Sequence, residues 1–425
     1  MNLIFIGMRG SGKSSFAGIF SARLGLPWID LDVELEKEFK IPISDFVKKN
    51  GWEEFRYEEK KLIAKISKIN NHIIATGGGV ILDSDNIGLL KKNGYVIYLK
   101  STVDILYKRI KDKVNRPFLT DAKNFFDDLK KTYEERKNLY EKSADLIIYN
   151  DSESIFDKKT FLFGVVGHPI SHSVSPALHN IGYKENNINA RMFALDIPDI
   201  KIGMEIINRL YFKGIAVTIP HKKNIIPFLD KLDPSSGKTG AINTAIKKKD
   251  KWMGFNTDSE AAVLALSEII SLSNKRTAII GAGGASRALC YGLKMHGGII
   301  DVYNKTVKNA QKLVEEFRLN RAYDLKDLSG IGDYDIIINS TPLGMKGQHE
   351  NETPLPKNLI KKSQIVFDIV YNPRETRFIK EAKEKGAITI CGDKMILNNV
   401  LLQFELFTGQ KLNKNNIKKE LSKLI

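Results

Sequence analysis

The sequence predicts an α/β protein with an N-terminal P-loop domain of three α/β/α layers, followed by a two-lobed region that includes a Rossmann-type lobe. A glycine-rich loop at residues 7–14 lies between an apolar strand and a helix, and a second glycine-rich turn begins at Gly281. Apolar strands alternate with helical segments over most of the chain. At 425 residues, the chain is long enough for two or three domains of about 100–200 residues each.

The composition indicates which cellular compartment and which kinds of partner to expect. Met1 leads directly into the first strand, and no apolar run approaches the roughly 18 residues of a membrane span, so neither a leader nor a membrane partner is expected. Cys290 and Cys391 fit no disulfide framework, which favours a reduced cytoplasmic setting. The formal net charge of +16 fits a lysine-rich surface serving anionic small substrates. Because no aromatic-plus-basic module for RNA is present, no nucleic-acid partner is expected.

Domain boundaries follow from breaks in the pattern. A polar, serine-rich stretch begins at Asn150, and a new apolar strand begins at Phe161. We therefore expect a first domain over residues 1–155. A second lobe over 161–263, completed by about 390–425, would flank a nucleotide-binding lobe over 264–389.

The first glycine-rich loop predicts a nucleoside triphosphate site. Residues 7–14, GMRGSGKS, match the P-loop pattern GxxxxGK[ST] in its strand–turn–helix context. Glycines let backbone N–H groups close around phosphates, and the helix N-terminus adds partial positive charge. Lys13 can reach the β- and γ-phosphates, and the Ser14 hydroxyl can bind Mg²⁺.

Residues 28–32, WIDLD, read as a strand with Asp30 and Asp32 on one face. Two carboxylates near a triphosphate suit one that holds Mg²⁺ through water and one that accepts a hydroxyl proton. A strand end that caps the next helix is an equally good reading. Further along, Gly77–Gly79 would allow close backbone approach to a ligand, and the basic stretch around Arg116 predicts a lid over phosphate.

Together these motifs resemble shikimate kinase over residues 1–155. The resemblance rests on GMRGSGKS, the Asp30-x-Asp32 pair, Phe55-Arg56, the triple glycine, Arg116-Pro117 and Arg136, in that family's order. It implies phosphorylation of the shikimate 3-hydroxyl by ATP with Mg²⁺. ATP would contact Gly10, Ser11, Gly12, Lys13, Ser14, Ser15, Arg109 and Arg116; shikimate would contact Asp32, Arg56, Gly78 and Arg136. Lys13, Asp32 and Arg116 would be catalytic, and Ser14 with Asp30 would hold the metal. A GTPase is disfavoured because no NKxD or TKxD tetrapeptide is present.

The second region begins with a rigid loop, residues 167–176, GHPISHSVSP. Its serines could bind polyol hydroxyls or cap the following helix. The histidines at 168, 172 and 179 match no metal-binding spacing, so no metal is expected there. Lys222 and Asp258 each follow a predicted strand. They would form a simple ion pair or, in a cleft, exchange a proton with a substrate hydroxyl.

The second glycine-rich turn predicts a dinucleotide site. Residues 281–288, GAGGASRA, follow a buried strand and open a helix, as in the GxGxxG/A fingerprint. About twenty residues on, where an NAD enzyme places an acid on the ribose, the next strand ends at Asn304 and is followed by Lys305 and Thr306. Asp301 lies inside that strand. A cation at this tip favours the 2′-phosphate of NADP.

From about residue 161 to 410 the chain resembles shikimate dehydrogenase. The motifs are GxPIxHSxSPxxHN, VTxPxK, GAxNT, GxNTD, GAGGASRA, TPxGM and DxVYxPxxT, all in order. The resemblance implies a substrate site of Ser173, Ser175, Thr218, Lys222, Asn243, Asp258, Tyr371 and Asn399, with Lys222 as acid/base beside Asp258. The NADP site would contain Gly281, Ala282, Gly283, Gly284, Ala285, Asn304, Lys305, Thr306, Met345 and Gly392.

Four positions depart from the dehydrogenase pattern. The family's asparagine before VT is Ala216, its arginine in the NRT segment is Lys305, and the basic residue three beyond Thr306 is Asn309. The family's substrate-binding glutamine is Asn399. Lysine cannot reproduce the planar fork of arginine, and asparagine shortens the reach of the amide.

The sequence thus predicts a bifunctional enzyme that reduces 3-dehydroshikimate with NADPH and phosphorylates the product with Mg²⁺-ATP. Three alternatives stay open: a quinate-type dehydrogenase, a metabolite sensor in place of the second enzyme, and a basic P-loop protein acting on nucleic acid. The expected oligomeric state is a monomer or a homodimer. The lysine-rich residues 411–425 predict a solvated, weakly amphipathic terminal helix.

Overall fold

The structure is a computed structural model that describes residues 1–112, 118–151 and 156–425. These fall into two compact units. The first contains Met1–Ser173 and Asn189–Phe212, and the second contains Val174–Ile188 and Lys213–Ile425. The predicted domain boundaries stay a prediction. Residues 113–117 of the basic stretch expected as a lid, Arg116 included, and most of the serine-rich break lie outside the described ranges.

The strands, in chain order, are β1 (Asn2–Ile6), β2 (Trp28–Asp30), β3 (Ile73–Ala75), β4 (Gly94–Lys100), β5 (Leu146–Tyr149), β6 (Phe161–Gly167), β7 (Ala190–Asp196), β8 (Gly214–Val217), β9 (Lys231–Leu232), β10 (Thr244–Lys248), β11 (Lys251–Phe255), β12 (Arg276–Ile280), β13 (Ile299–Asn304), β14 (Arg321–Asp324), β15 (Ile336–Asn339), β16 (Ile365–Asp368) and β17 (Ile388–Ile390).

The α-helices are α1 (Lys13–Leu24), α2 (Leu31–Phe39), α3 (Ile43–Ile66), α4 (Ser84–Lys92), α5 (Val103–Ile110), α6 (Phe125–Ser143), α7 (Ser175–Glu185), α8 (Ile200–Arg209), α9 (His221–Asn224), α10 (Pro234–Thr239), α11 (Thr257–Ser267), α12 (Gly284–Met295), α13 (Val307–Phe317), α14 (Arg377–Glu384), α15 (Gly392–Thr408) and α16 (Lys414–Leu424). No helix in these ranges is long and apolar enough to cross a bilayer.

In the first unit, the strands are ordered β2-β3-β1-β4-β5-β7-β6. The first five are parallel, as expected for strands joined through helices. Apolar side chains of β1, β3 and β4 are fully buried and form a core with residues of α2 and α3. Because ligands bind at the carboxyl ends of parallel strands, the loops after β1, β2 and β3 frame the first site.

The sheet of the first unit continues beyond the P-loop domain. Strand β5 pairs antiparallel with β7, with Ile147 opposite Asp196 and Tyr149 opposite Ala194, and β7 pairs parallel with β6. Strands β6 and β7 come from the part of the sequence that we assigned to the next lobe. One continuous ladder of backbone hydrogen bonds therefore joins the two regions.

The second unit contains two groups of strands. Strands β8-β10-β11-β9 form a mostly antiparallel group. The six-stranded sheet β14-β13-β12-β15-β16-β17 is parallel throughout. Its order reverses between β12 and β15, which is the switch point where doubly wound sheets bind ligands. This strand order confirms the predicted Rossmann-type lobe.

The terminal helix α16 is amphipathic, because Ile417 and Leu421 are buried on its apolar side.

One predicted element differs from the structure. The strand expected over residues 28–32 ends at Asp30, and Asp32 lies in the first turn of α2. The Asp30 side chain accepts a hydrogen bond from the backbone N–H of Asp32, so it caps that helix, which ends the strand alternation. Helix α3 begins at Ile43 and is interrupted at Gly51, whose φ of 85° is not helical.

Candidate active sites

The first site is built around the P-loop. Gly10 and Gly12 have φ values of 83° and 96°, which only glycine adopts easily. The Nζ of Lys13 donates to the carbonyl oxygens of Gly7 at 2.9 Å and Met8 at 3.1 Å, so the lysine folds over the loop at the N-terminus of α1. This arrangement of helix start, glycines and lysine fits a phosphate chain. Ser11 in the loop is fully buried, and Ser15 is exposed on the first turn of α1.

The predicted metal-binding pair is brought together. The Ser14 hydroxyl donates to Asp30 Oδ2 at 2.5 Å, while Asp30 Oδ1 accepts from the Asp32 backbone at 3.1 Å. The Asp30 carboxylate therefore caps α2, which is one of the two readings that the sequence left open, and its other oxygen faces the P-loop hydroxyl. Hydroxyl and carboxylate oxygens are the ligand type that Mg²⁺ takes.

Asp32, Arg56 and Glu59 converge on the glycine loop that follows β3. A Cβ on Gly77 would lie 2.8 Å from Asp32 Oδ1 and 2.9 Å from Glu59 Oε1. Arg56 Nη1 donates to Glu59 Oε2 at 2.5 Å. Burial raises the pKa of Glu59, and the neighbouring Arg56 opposes that shift. Sequence reasoning missed Glu59, although its position three residues after Arg56 on one helix places the two on one face.

The other predicted ligands of this site surround Gly78. The Gly78 carbonyl accepts from Arg136 Nη1 at 3.1 Å and also from the Tyr140 hydroxyl. A Cβ on Gly79 would overlap the guanidinium of Arg56, so glycine is needed there for that arginine to lie where it does. Two guanidinium groups from α3 and α6 thus face the same backbone turn, an arrangement that suits recognition of a carboxylate.

Arg109 is tied to the P-loop rather than extended into solvent. Its guanidinium donates to the Gly10 carbonyl at 3.2 Å and to the Asn150 carbonyl at 2.8 Å. Arg9, which the sequence did not single out, pairs with the fully buried Asp128 on α6. Arg116, the remaining predicted phosphate contact, lies outside the described residues.

The second site is built around an ion pair. The Nζ of Lys222, on the short helix α9, donates to Asp258 Oδ2 at the start of α11. The two side chains are 17% and 6% exposed, respectively. A Cβ on Gly284, in the dinucleotide turn, would lie 3.6 Å from the Cδ of Lys222. The lysine therefore lies between its carboxylate and the turn predicted to hold the cofactor.

Three amide and hydroxyl side chains fix the position of Asp258. Its Oδ1 accepts from Asn243 Nδ2 and from Asn399 Nδ2, each at 2.9 Å. Thr257 Oγ1 donates to Asn399 Oδ1 at 2.8 Å. Gln403, one turn beyond Asn399, donates to the Asn243 carbonyl at 3.3 Å. Sequence reasoning missed Gln403 because nothing in its local sequence connects it to the strand that carries Asn243.

The remaining predicted substrate contacts lie in loops and at the start of α7. Ser173 is half-buried in a turn closed by its backbone bond to Ile170, at 3.0 Å. Ser175 begins α7 and is buried. The Thr218 carbonyl accepts from the N–H of the first residue of α9 at 2.8 Å. Burial raises the pKa of Tyr371, which follows β16.

The dinucleotide turn has the expected form. Gly281 has a φ of 118°, and a Cβ there would lie 2.7 Å from Ser340 Oγ. The Gly283 N–H donates to Ser286 Oγ at 2.9 Å, which holds the turn against α12. A Cβ on Gly283 would meet no atom of the described chain within 4 Å. The turn thus presents open space beside backbone N–H groups at a helix N-terminus, which fits a pyrophosphate.

At the tip of β13 the Asn304 side chain donates to the Thr306 carbonyl at 2.9 Å, and Lys305 is exposed. Asp301, inside the strand, accepts from Tyr334 at 2.7 Å and from Asn320 at 2.7 Å, so it is used within the lobe. The other predicted cofactor contacts are in loops or at helix starts: Ala282, Ala285, Met345 and Gly392. Gly392 packs so closely on the Val370 carbonyl that a Cβ would overlap it.

Histidines play other roles here. His179 is fully buried, and its Nδ1 lies 2.9 Å from the Ser175 carbonyl. Burial lowers its pKa to about 4. His168 Nδ1 lies 2.5 Å from Asp196. Within the residues that the structure describes, no group of three or more His, Cys, Asp or Glu side chains could hold a metal ion.

Comparison with protein-family models divides the chain into three matched ranges. Residues 9–161 match shikimate kinase. Residues 165–245 match the shikimate dehydrogenase substrate binding domain, and residues 263–390 match shikimate / quinate 5-dehydrogenase.

Among curated relatives, the NADP(+)-dependent shikimate dehydrogenase of Methanosphaera stadtmanae is 38% identical over 275 residues, covering 62% of this chain and 97% of that protein. A crystal structure of a shikimate dehydrogenase in complex with NADP+ is similar at a TM-score of 0.60 and 35% identity, over 64% of this chain and 98% of the other. The Thermus thermophilus enzyme in complex with NADP(H) and shikimate is similar at a TM-score of 0.58 and 30% identity, over 63% and 100%.

Proposed function

Because the chain belongs to the shikimate dehydrogenase family and carries a shikimate kinase region ahead of it, we propose that it catalyses two consecutive reactions. The second region reduces 3-dehydroshikimate to shikimate with NADPH. The first region phosphorylates the 3-hydroxyl of shikimate with Mg²⁺-ATP. Because phosphoryl transfer is strongly downhill, it draws the reversible reduction forward.

The observation that carries the dehydrogenase half is the largely buried Lys222–Asp258 pair beside the dinucleotide turn. NADPH supplies the hydride when it is bound. Lys222 gives a proton to the oxygen that becomes the new hydroxyl, and Asp258 holds the lysine in place with help from Asn243 and Asn399. General acid catalysis needs a donor within hydrogen-bond reach of the substrate oxygen, and a fixed ammonium group meets that need.

The kinase half is supported by the charged side chains that surround the P-loop and the glycine loop after β3. ATP with Mg²⁺ supplies the phosphoryl group when it is bound. Arg56 and Arg136 face the turn at Gly78 and suit the shikimate carboxylate. Asp32 orients or deprotonates the 3-hydroxyl, and Lys13 at the start of α1 stabilises charge on the transferring group.

NADPH is the expected coenzyme because an exposed lysine, Lys305, stands at the tip of β13, and Asp301 is engaged inside the strand. A cation there favours a ribose 2′-phosphate over a bare hydroxyl. The partners are the small-molecule substrates alone, in a monomer or a homodimer. We place the enzyme in the cytoplasm, where a buried thiol such as Cys290 stays reduced.

One mixture tests both halves. The purified chain is given 3-dehydroshikimate, NADPH and Mg²⁺-ATP, and products are followed by mass spectrometry. Formation of shikimate 3-phosphate that requires both nucleotides is the expected result. Phosphorylation of added shikimate without any reduction of 3-dehydroshikimate would contradict the dehydrogenase half and leave the kinase half standing. Repeating the reduction with NADH ranks the two coenzymes.

Quinate is the second candidate substrate, since the model matched by residues 263–390 covers shikimate and quinate enzymes alike. Turnover of quinate equal to that of shikimate would favour it. The sensor alternative is disfavoured by the intact Lys222–Asp258 pair, because a binding module has no need for a buried, pre-positioned proton donor.

A further inference from the structure

Strand β7 carries a buried arginine at the edge of the P-loop region. Arg191 is 7% exposed, and its Nη2 donates to Asn150 Oδ1 at 3.0 Å. Asn150 directly follows β5, the strand that pairs with β7. Arg191 belongs to the range that matches the dehydrogenase substrate binding domain, yet it donates a hydrogen bond to the kinase region.

Asn150 in turn holds the P-loop in place through hydrogen bonds. Its Nδ2 donates to the Ser11 carbonyl at 3.1 Å, and its own carbonyl accepts from Arg109 at 2.8 Å and from Ser101 at 2.7 Å. Asn150 as a whole is 4% exposed. With its amide oxygen on Arg191 and its amide nitrogen on Ser11, the asparagine has one favoured orientation, which fixes the carbonyl of a loop residue between Gly10 and Gly12.

Aromatic packing reinforces this link. Phe16, on the P-loop helix α1, packs edge-on against Phe156 at 4.8 Å and Phe193 at 6.1 Å between ring centroids. The guanidinium carbon of Arg191 lies 4.6 Å from the Phe193 centroid and 5.9 Å from that of Phe156. One face of α1 is therefore covered by side chains downstream of β5, and Arg191 lies over their rings.

Arg191 is a charged hydrogen-bond donor. Burial lowers its pKa to about 10, and the neighbouring Arg109 adds to that shift. The group is therefore still charged at neutral pH, and a charged donor makes a stronger hydrogen bond to Asn150 than a neutral one.

We propose that Arg191 is a positioning residue for nucleotide binding at the P-loop, acting through Asn150, so that the dehydrogenase region supplies part of the kinase's nucleotide site. The inference rests on the proposed kinase function only in that the P-loop binds ATP or ADP. It does not depend on which hydroxyl is phosphorylated. In this role Arg191 holds Asn150, and Asn150 holds the P-loop.

The test is Arg191→Met in the full chain, since methionine keeps most of the volume and removes the donor and the charge. We expect ADP affinity, measured by calorimetry without any second substrate, to fall about tenfold, as for loss of one hydrogen bond from a charged donor. The KM for ATP should rise by a similar factor, while kcat, the KM for shikimate and 3-dehydroshikimate reduction change less than about twofold. The control is Arg209→Ala, which removes another arginine bond between the two regions, to the Met1 carbonyl at 3.2 Å.

A double-mutant cycle tests the route through Asn150. Asn150→Ala and the double variant should bind ADP about as weakly as Arg191→Met alone, since the two side chains act in series. Arg191→Lys keeps the cation and one donor, should restore part of the affinity, and serves if the methionine variant does not fold. Unchanged ADP affinity in both Arg191 variants would overturn the proposal, as would an equal loss of both enzyme activities. Full calorimetric binding of ADP with no phosphorylation of shikimate would instead count against the proposed reaction alone.

Discussion

The side-chain amide of Asn399 donates a hydrogen bond of 2.9 Å to Asp258, the carboxylate that also receives Lys222. Asn399, whose side chain is shorter than the family's glutamine, therefore orients Asp258. Its position in the sequence does not reveal this role. A residue expected to bind substrate thus holds the proposed catalytic pair in place. A helix near the C-terminus thereby reaches the chemistry of a strand–helix turn more than a hundred residues earlier.

Asn399→Ala should lower the kcat for 3-dehydroshikimate reduction by roughly 10- to 100-fold, the effect of removing one hydrogen bond to a charged group. Steady-state kinetics with NADPH provide the measurement. Asn398→Ala is the matched control, because that side chain is also buried but donates to the Ala261 carbonyl at 3.1 Å on the neighbouring helix. If both variants lose activity equally, Asn399 has no specific role at Asp258.

Lys222→Met and Lys13→Met should separate the two activities. Loss of the proton donor should cost the reduction about 10²–10⁴-fold and leave phosphorylation of added shikimate unchanged. Loss of the P-loop lysine should abolish phosphorylation and leave the reduction intact. Assaying each variant for both reactions makes each the control for the other, and a variant that lost both would point to misfolding.

Gly79→Ala should damage the kinase selectively. The new methyl group would overlap the guanidinium of Arg56, and displacing that arginine should raise the KM for shikimate about tenfold or more, since a charged hydrogen-bond donor to a carboxylate is lost. Gly88→Ala is the control, because a Cβ there, on helix α4, meets nothing within 4 Å. That substitution should be neutral or slightly stabilising. A normal KM in Gly79→Ala would mean that Arg56 does not bind the substrate.

Acid should loosen α7 through His179. Burial lowers the pKa of His179 to about 4, whereas an unfolded histidine titrates near 6.5, so the unfolded state binds more protons between these values. Stability then falls with decreasing pH, by about 2 kcal/mol from pH 7.5 to pH 5 for this group alone. Hydrogen exchange of α7 at both pH values is the measurement. His179→Asn should show a correspondingly smaller pH dependence, and an identical dependence in the two proteins would assign the effect elsewhere.

Local sequence predicted the parts of both sites that are local in space. The P-loop, the dinucleotide turn and the triple glycine each combine backbone geometry and chemistry within a few residues, so their patterns were readable. The strand expected to reach Asp32 ends at Asp30 because Asp30 caps a helix. The sequence alone favoured neither the longer strand nor the helix cap.

Contacts between distant segments could not be read in the same way. Glu59, Gln403 and the Arg191–Asn150 link depend on which strand pairs with which, and a single sequence does not state that pairing. Glu59 had a weak signal in its spacing from Arg56. Arg191 had none, because an arginine inside a strand normally reads as a surface residue.

The pairing of β5 with β7 has a consequence for how this chain can be divided. An open strand edge carries unpaired amide and carbonyl groups and invites association with other chains. Cutting the chain between the two matched regions would create two such edges and separate Phe16 from its aromatic neighbour Phe193. The two enzymes are therefore not independent modules joined by a linker. A shortened chain that kept only one of them would need other residues to cover the strand edge left exposed.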